Sequence, residues 1–378
     1  MKKSCKYLLL VFTVVSCAWC TCYAQGAAHR GQLDSLFKAE SAAPHFNGTV
    51  LVADQGAVIY QNAKGYSDIG RHRVNTSITP FQLASVSKLF TSIAVMQLVE
   101  KGKLKLDDSL VMYLPTFPYS NITLRQLLSH TSGLPDFRQV YREKSPHPLS
   151  NSDIIPDLIK FGHLLSPPGT QWNYSSMGYG LLAMLVEKIS GMSFPSYVQE
   201  FICKPSGMKH SYVLDPYRTF PDSLRAISYV PSSPDSLKAG DSVHTDLANP
   251  FQAIIGPGLM VSSAEDLLLF SEALNKNIIL SKKIQDTMYT PVKLADGSLA
   301  RFRDAPIYVG LGWFIDMDHS SGTIVSHNGG SAGMSVILIR NLQNRQTVIV
   351  LENSDNSGIF SFGLNAMNIL NDKPVQYY

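Results

Sequence analysis

Apolar residues cluster in short runs near both ends of the chain, and turn or polar residues bound each run. These runs are residues 48–54, 57–61, 308–315, 322–326, 334–340 and 346–352. They are rich in valine and isoleucine, which favours strands, and the short polar breaks between neighbouring runs are typical of hairpins. We therefore predict that the two ends of the chain share one antiparallel sheet.

The middle of the chain shows the longer apolar spacing that is typical of helices. The candidate helices are residues 123–129, 152–161, 177–190, 193–203 and 263–275. Two further candidates, one near Leu33 and one at residues 359–370, lie beside the strand-rich ends and are expected to pack on a face of the sheet. The pattern predicts an α+β fold, in which helices flank an antiparallel sheet and an all-helical lobe is inserted.

We place a single domain at residues 25–378. Its α/β lobe takes residues 25–106 and 300–378, and its helical lobe takes residues 107–299. The polar stretch Pro231–Thr245 interrupts the helical lobe, and its content of Ser, Pro and Asp predicts an irregular surface loop. That loop either moves near the groove between the lobes or only decorates the surface.

The first 24 residues have the pattern of a secretory signal, with three lysines ahead of an apolar run. This leader predicts an exported protein, either periplasmic or secreted. Two forms of processing fit the sequence: cleavage after Ala24, or acylation of Cys17 as in a bacterial lipoprotein, which would attach the protein to a membrane. An uncleaved anchor fits less well, because a spanning helix needs about 20 apolar residues.

The composition narrows the possible partners. The 378 residues, 45% of them hydrophobic, are enough for a substantial core. Loss of three leader lysines from the 32 basic residues leaves a balance with the 29 acidic ones, so we expect no nucleic-acid partner. Four of the five cysteines lie in the leader. We expect the remaining thiol, Cys203, to be buried as a small apolar group without a disulfide partner.

Candidate chemistry lies at the start of an apolar helix that runs from about Ser85 to Gly102. Ser85 and Lys88 are three residues apart, so a helix places them on one face. A neutral lysine amine there can accept the serine proton, and the helix N-terminus stabilises the oxyanion of acyl transfer. Because free lysine has a pKa of about 10.4, this role requires burial to lower the pKa of Lys88 by roughly 3 units.

The same spacing occurs at two other places, Ser35 with Lys38 and Ser206 with Lys209. The first pair falls on the polar side of an amphipathic helix, where we expect solvent exposure. The second pair lies in a segment with a proline and a glycine, which predicts a turn. Only the pair at 85 and 88 is therefore a candidate for nucleophile and base.

Four further stretches accompany this pair in a fixed order. They are residues 104–110 (LKLDDSL), 127–135 (LLSHTSGLP), 167–179 (PPGTQWNYSSMGY) and 326–333 (SHNGGSAG). Over about residues 48–360 the chain resembles the serine β-lactamase and penicillin-binding protein family, in the branch of class C β-lactamases, D-Ala-D-Ala carboxypeptidases, D-aminopeptidases and esterases. The resemblance implies an α/β lobe and a helical lobe with the active site in the groove between them.

The second motif of that family is Tyr-x-Asn, and the position that matches it in context is Tyr174-Ser175-Ser176. The resemblance implies that Tyr174 relays protons between Lys88, Ser85 and the leaving group. Serine at 176 replaces the family's asparagine as a substrate-binding residue. Its single hydroxyl on a shorter stem should weaken recognition of an amide side chain, as in penicillins.

The third motif, His-x-Gly in this branch, matches His327-Asn328-Gly329. The resemblance implies that His327 assists proton transfer or orients a substrate carboxylate, and that Asn328, Gly329 and Gly330 contact the substrate. It also implies an oxyanion hole formed by the amides of Ser85 and Gly330.

Together these motifs predict a hydrolase that forms an acyl-enzyme. Its catalytic residues would be Ser85, Lys88, Tyr174 and His327. It requires no metal and no cofactor, and its partner is a small-molecule or peptide substrate. D-amino-acid peptides, D-amino-acid amides and small esters are the expected substrates. The alternatives are a β-lactamase and a non-hydrolysing penicillin-binding protein of the cell envelope, and the sequence leaves the oligomeric state open.

Overall fold

The fold is known from a computed structural model. The structure describes residues 28–42, 46–141, 149–214, 224–233, 236–239, 253–302, 305–317, 321–354 and 358–375. The predicted leader, with its candidate acylation site at Cys17, lies outside these residues. Within the described ranges, every helix is too short or too polar to cross a membrane.

The elements follow the order that the apolar runs predict. The strands are β1 (Gly48–Asp54), β2 (Ala57–Lys64), β3 (Tyr66–Asp68), β4 (Arg73–Val74), β5 (Phe81–Gln82), β6 (Tyr212–Val213), β7 (Tyr229–Ser233), β8 (Ser236–Ala239), β9 (Met260–Ser262), β10 (Tyr308–Val309), β11 (Phe314–Asp316), β12 (Ile324–Ser331), β13 (Met334–Asn341) and β14 (Gln346–Glu352). The helices are α1 (28–41), α2 (Ser87–Glu100), α3 (Leu124–Leu128), α4 (Phe137–Val140), α5 (Ile154–Phe161), α6 (Ser176–Ser190), α7 (Phe194–Val198), α8 (Lys204–Ser206), α9 (Ala264–Asn275), α10 (Lys282–Met288) and α11 (Ile359–Leu370).

The main sheet joins both ends of the chain, as predicted. It has seven strands in the order β10-β11-β12-β13-β14-β1-β2, and all neighbours are antiparallel. β14 is therefore the strand that holds β1 in the sheet, with Val50 opposite Val350. The predicted α+β fold, with helices flanking an antiparallel sheet, is confirmed.

The two faces of the sheet belong to different cores because neighbouring side chains of a strand point to opposite sides. Val50 and Val52 of β1 pack in one cluster with residues of α1 and α11, as the sequence predicts for these two helices. Leu51 and Ala53 pack in the larger cluster, which contains α2, α6 and α9. The helices between β5 and β10 thus share a core with the sheet. The lobe boundaries at 106/107 and 299/300 stay a prediction.

The predicted loop Pro231–Thr245 is wrong in its first part. Residues of β7 and β8 pair as antiparallel strands there, and residues 240–245 lie outside the described ranges. Tyr229 at the start of β7 is buried, its hydroxyl accepts the amide proton of Ile69, and its own amide donates to the carbonyl of Asn353. These long-range contacts overrule the local composition, which favours a loop.

Candidate active site

Ser85 lies in a tight turn in front of the helix that was predicted to start with it. Residues Ala84–Val86 form a single 3₁₀ turn, and α2 begins at Ser87. Ala84 has a φ of 43°, a left-handed conformation that is uncommon for a residue with a Cβ atom. Backbone strain of this kind costs on the order of 1–3 kcal/mol and tends to be kept at functional sites. The turn leaves the Ser85 side chain half-buried, facing open space.

Lys88, in the first turn of α2, is the hydrogen-bond partner of Ser85. Its Nζ donates to Ser85 Oγ over 3.1 Å and to the carbonyl of Pro257 over 3.0 Å. The side chain is fully buried. Burial lowers the pKa of Lys88 to about 7, and the charge of Asp136 partly opposes that shift. A large fraction of the amine is therefore neutral near pH 7. The pKa is lowered by the amount that the role of a base requires.

Aromatic rings surround this amine. Nζ of Lys88 lies 4.9 Å from the ring centroid of Tyr174 and 5.6 Å from that of Tyr179. The His130 ring stacks on the Tyr174 ring with centroids 4.3 Å apart. Nδ1 of His130 accepts a hydrogen bond from the amide of Ser175 over 3.2 Å. Burial and the charge of Lys88 hold the pKa of His130 well below its usual range. Because the imidazole is neutral, it neither repels the Lys88 amine nor supplies a negative charge that would stabilise the protonated form of that amine.

Tyr174 precedes α6 and is partly exposed. Desolvation raises the pKa of its phenol, and a hydrogen bond with Ser85 opposes that rise. The phenol therefore keeps its proton over the physiological range. In this state it can pass a proton along a chain of hydrogen bonds but cannot act as a permanent anion.

His327 is buried on β12, and its Nδ1 lies 2.7 Å from the carbonyl oxygen of Asn328. Because a carbonyl only accepts, Nδ1 carries the ring proton and Nε2 keeps a lone pair. Burial, together with the charge of Lys88, lowers the pKa of His327 to about 3. The imidazole is thus a neutral group with a free acceptor nitrogen at physiological pH.

Gly329 explains how β12 approaches the serine so closely. An added Cβ at this position would lie 2.4 Å from the carbonyl oxygen of Leu83 and 2.9 Å from the amide nitrogen of Ser85. No side chain fits in such a space. At Gly330, in contrast, the nearest atom to an added Cβ is the carbonyl oxygen of Met334 at 4.0 Å. Gly329 is therefore the residue that lets the strand lie directly against the turn of Ser85.

Two cavities meet at Ser85, and Gly330 lines both. The smaller, of about 140 Å³, also contacts Lys88, Ser176 and Phe137. The larger, of about 230 Å³, has a wall of Tyr174, His327, Asn328, Trp172, Phe302 and Phe314. Of the predicted residues Tyr174 and Ser176, the first thus lines the larger cavity and the second the smaller one.

Comparison with known proteins agrees with this geometry. The model of the Beta-lactamase family matches residues 33–365. The chain belongs to the Beta-lactamase family. Penicillin-binding protein 4* of Bacillus subtilis (strain 168) is 34% identical over 340 residues, which are 86% of this chain and 72% of that protein. Family membership and the hydrolase fold of that family therefore no longer depend on short motifs.

Solved structures share the fold. The penicillin-binding protein from Bacillus halodurans superposes with a TM-score of 0.74 at 25% identity, covering 90% of this chain and 97% of that one. The D-amino acid amidase from Ochrobactrum anthropi SV3 reaches a TM-score of 0.77 at 22% identity, with 92% and 99% covered. The second likeness, at this identity, concerns the fold alone.

Within this Beta-lactamase-family fold, the other two copies of the serine–lysine spacing have unrelated surroundings. Ser35 donates to the carbonyl of Gly31, and Lys38 pairs with Asp34 at 2.7 Å on an exposed face of α1. Ser206 is the last residue of the short α8 and lies in the core. Neither serine lies beside a buried amine.

Three contributors to the site were missed from the sequence. The carbonyl of Pro257 holds Lys88, the ring of Tyr179 covers it, and the carboxylate of Asp136 lies near enough to raise its pKa. Asp136 also accepts the amide proton of Ser176 over 2.8 Å. A carbonyl has no sequence signal, whereas Asp136 and Tyr179 stand within or directly after the motif stretches that were quoted for the resemblance.

Gly329→Ala should lower kcat by about 100-fold, because the methyl group must displace the Ser85 amide or the strand from an arrangement with no spare room. Gly330→Ala should lose much less, since its Cβ position is open. Steady-state kinetics on an activated ester, with circular dichroism to verify folding, provides the comparison. Equal losses for the two variants would contradict the close-approach argument.

Proposed function

We propose that the protein is a serine hydrolase that forms an acyl-enzyme at Ser85. The observation that carries this proposal is the hydrogen bond between Ser85 and a fully buried Lys88 whose pKa lies at about 7. An amine of which about half is neutral at pH 7 can remove the hydroxyl proton as Oγ bonds to the substrate carbonyl.

The surroundings of Lys88 set the direction of that proton transfer. One N–H of the amine stays on the carbonyl of Pro257. In the neutral form the hydrogen bond between Lys88 and Ser85 can reverse, so that the amine lone pair accepts the hydroxyl proton. The proton then passes to the leaving group through Tyr174, which interacts with Ser85. The amides of Ser85 and Gly330 stabilise the oxyanion. Water attacks the acyl-enzyme in the second half of the reaction, and the same groups work in reverse.

The two cavities take different parts of the substrate. A leaving group must sit where it can receive a proton, and Tyr174 and His327 line the larger cavity. The acyl part then occupies the smaller cavity beside Ser176 and Phe137. This assignment puts the replaced asparagine position on the acyl side, which is the side that a penicillin amide would occupy.

The substrate class that we propose is D-amino-acid peptides, D-amino-acid amides or small esters. The modest volume of the acyl-side cavity supports a small acyl group. The fold neighbour from Ochrobactrum anthropi is a D-amino acid amidase by name. We also propose that the protein acts outside the cytoplasm, because its first 24 residues have the pattern of a secretory signal.

A substrate panel tests this proposal. p-Nitrophenyl acetate or D-alanine p-nitroanilide should give the highest kcat/KM. The kcat/KM for nitrocefin should be at least roughly tenfold lower, because Ser176 lacks the planar amide that would hold a β-lactam side chain. Strong turnover of nitrocefin beside weak turnover of the other two would overturn the assignment and make the protein a β-lactamase.

The second candidate is a protein that reacts with penicillin without releasing it. The relative from Bacillus subtilis, a penicillin-binding protein by name, favours this reading. Intact-mass measurement after incubation with benzylpenicillin decides between them. A stable adduct of one penicillin per chain, with no turnover of any panel member, would support the second candidate and exclude the first.

A further inference from the structure

A third cavity borders the leaving-group side of the site. It is an open groove of about 510 Å³ whose lining includes Thr170, Trp172, Leu294 and Arg301. Trp172 is common to this groove and to the larger cavity at Ser85. The groove and the larger cavity are therefore neighbours that share this ring.

An aromatic pair lies at the boundary between the two spaces. The rings of Trp172 and Phe302 meet edge to face with centroids 5.2 Å apart, and Phe302 lines the larger cavity. Arg301 is the preceding residue in the chain and lines the groove. A substrate group that lies along this pair would extend from an apolar space next to Tyr174 to a cationic space at Arg301.

Among the described residues that line the groove, Arg301 is the charged one, and it is exposed. Its guanidinium lies 5.0 Å from the ring centroid of Tyr308 and donates to the hydroxyl of that tyrosine over 3.4 Å. Among the residues that the structure describes, no carboxylate lies within ion-pair distance of Arg301. Three other arginines do have such partners: the exposed Arg71 pairs with Asp68, and the half-buried Arg125 and Arg345 pair with Asp107 and Glu272.

We propose that the leaving group of the natural substrate is long enough to cross the Trp172–Phe302 pair and ends in a carboxylate that binds Arg301. Its core is apolar or aromatic to match the walls of the larger cavity. Tyr308 holds the guanidinium in place, and a planar guanidinium binds a carboxylate through paired hydrogen bonds. This inference rests on the proposed function, because it assigns a substrate class to the leaving-group side of that site.

A matched pair of esters tests it: the acetate esters of 4-hydroxyhippurate and of its amide, 4-hydroxyhippuramide. In both, the acetyl group passes to Ser85, the phenol is released with the transferred proton, and water then frees acetate. The leaving phenols differ only in a distant charge. We expect kcat/KM to be roughly tenfold higher for the carboxylate, which corresponds to about 1.4 kcal/mol. Added salt should lower this ratio.

Arg301→Gln should bring the ratio of the two kcat/KM values to about one, and Arg301→Lys should restore part of it. Arg71→Gln, which removes the same charge elsewhere on the surface, should keep the wild-type ratio. A ratio near one in the wild-type protein, or an equal ratio in Arg301→Gln and wild type, would overturn the inference while leaving the hydrolase proposal intact.

A binding measurement separates failure of the inference from failure of the proposed function. Free 4-hydroxyhippurate should bind to the Ser85→Ala protein more tightly than 4-hydroxyhippuramide, and Arg301→Gln should remove that difference; calorimetry provides both values. This readout does not depend on hydrolysis. If neither ester is cleaved in a Ser85-dependent way, the proposed function fails, and equal binding of the two compounds would reject the Arg301 subsite as well.

Discussion

Ser85→Ala should lower the hydrolysis of an activated ester by roughly 10⁴-fold or more, with little change in the fold. The hydroxyl at this position accepts a hydrogen bond from the buried Lys88 amine and faces both cavities, so it is the atom that can bond to a substrate carbonyl. Loss of the nucleophile in a serine enzyme removes the covalent route altogether, and only binding and oxyanion stabilisation remain.

The chain offers a matched control for this variant. Ser35 has the same spacing to a lysine but lies on the exposed face of α1 and donates to the carbonyl of Gly31. Ser35→Ala should keep full activity and full labelling by a fluorophosphonate, whereas Ser85→Ala should lose both. Intact-mass analysis after labelling gives the second readout. Hydrolysis that survives in purified Ser85→Ala protein, at a rate near wild type, would remove Ser85 from the role of nucleophile.

Local geometry explains why the sequence identifies this pair. An i, i+3 spacing places two side chains on one face in either a 3₁₀ turn or an α-helix, so the contact of Ser85 with Lys88 survives the shift of the helix start to Ser87. The protonation state of Lys88, in contrast, could not be predicted from the spacing. The burial of this amine depends on Tyr174, Tyr179 and the carbonyl of Pro257, which come from two segments that are distant from Lys88 in the sequence. Spacing alone cannot report such a tertiary property.

In the fold, too, the features that depend on local sequence could be predicted and those that depend on tertiary contacts could not. Both terminal hairpins could be predicted, because short apolar runs and the turns between them are local features of the sequence. Their union in one sheet also followed, and the pairing of β1 with β14 realises it. The strand pair β7 and β8 could not be predicted from polar residues, since its position depends on Tyr229 reaching Ile69 and Asn353. The cationic groove likewise depends on the meeting of Trp172 and Phe302, which are 130 positions apart in the sequence.

Lys88→Met should abolish activity and at the same time stabilise the protein at neutral pH by roughly 2–4 kcal/mol. The lysine is fully buried, and its pKa of about 7 in the folded chain lies below the ordinary value of 10.5. Burial of this group therefore opposes folding whenever the unfolded chain would bind a proton there. Methionine has a similar length without the charge. It loses the hydrogen bonds to Ser85 and Pro257 and the attraction of the charged amine to the neighbouring rings and to Asp136, which together are smaller than the cost of burying the charge.

The pH dependence of this gain follows from the direction of the shift. Between pH 7 and 10.5 the unfolded chain binds the Lys88 proton and the folded chain does not, so the contribution of Lys88 to stability becomes less favourable as the pH falls through that window. Below about pH 7 both states are protonated and the destabilisation is complete. The stability advantage of Lys88→Met should thus be largest at pH 6, smaller at pH 8 and smallest at pH 9.5.

Urea unfolding of both proteins at these three pH values measures the advantage directly. Lys101→Met is the matched control, because Lys101 is exposed at the C-terminal end of the same helix. It should change the free energy of unfolding little, and equally at each pH. If Lys88→Met is less stable than wild type at pH 6, or if its advantage grows toward pH 9.5, then Lys88 is charged and well solvated in the folded protein. The Ser85 hydroxyl would in that case lack the neutral amine that its activation requires.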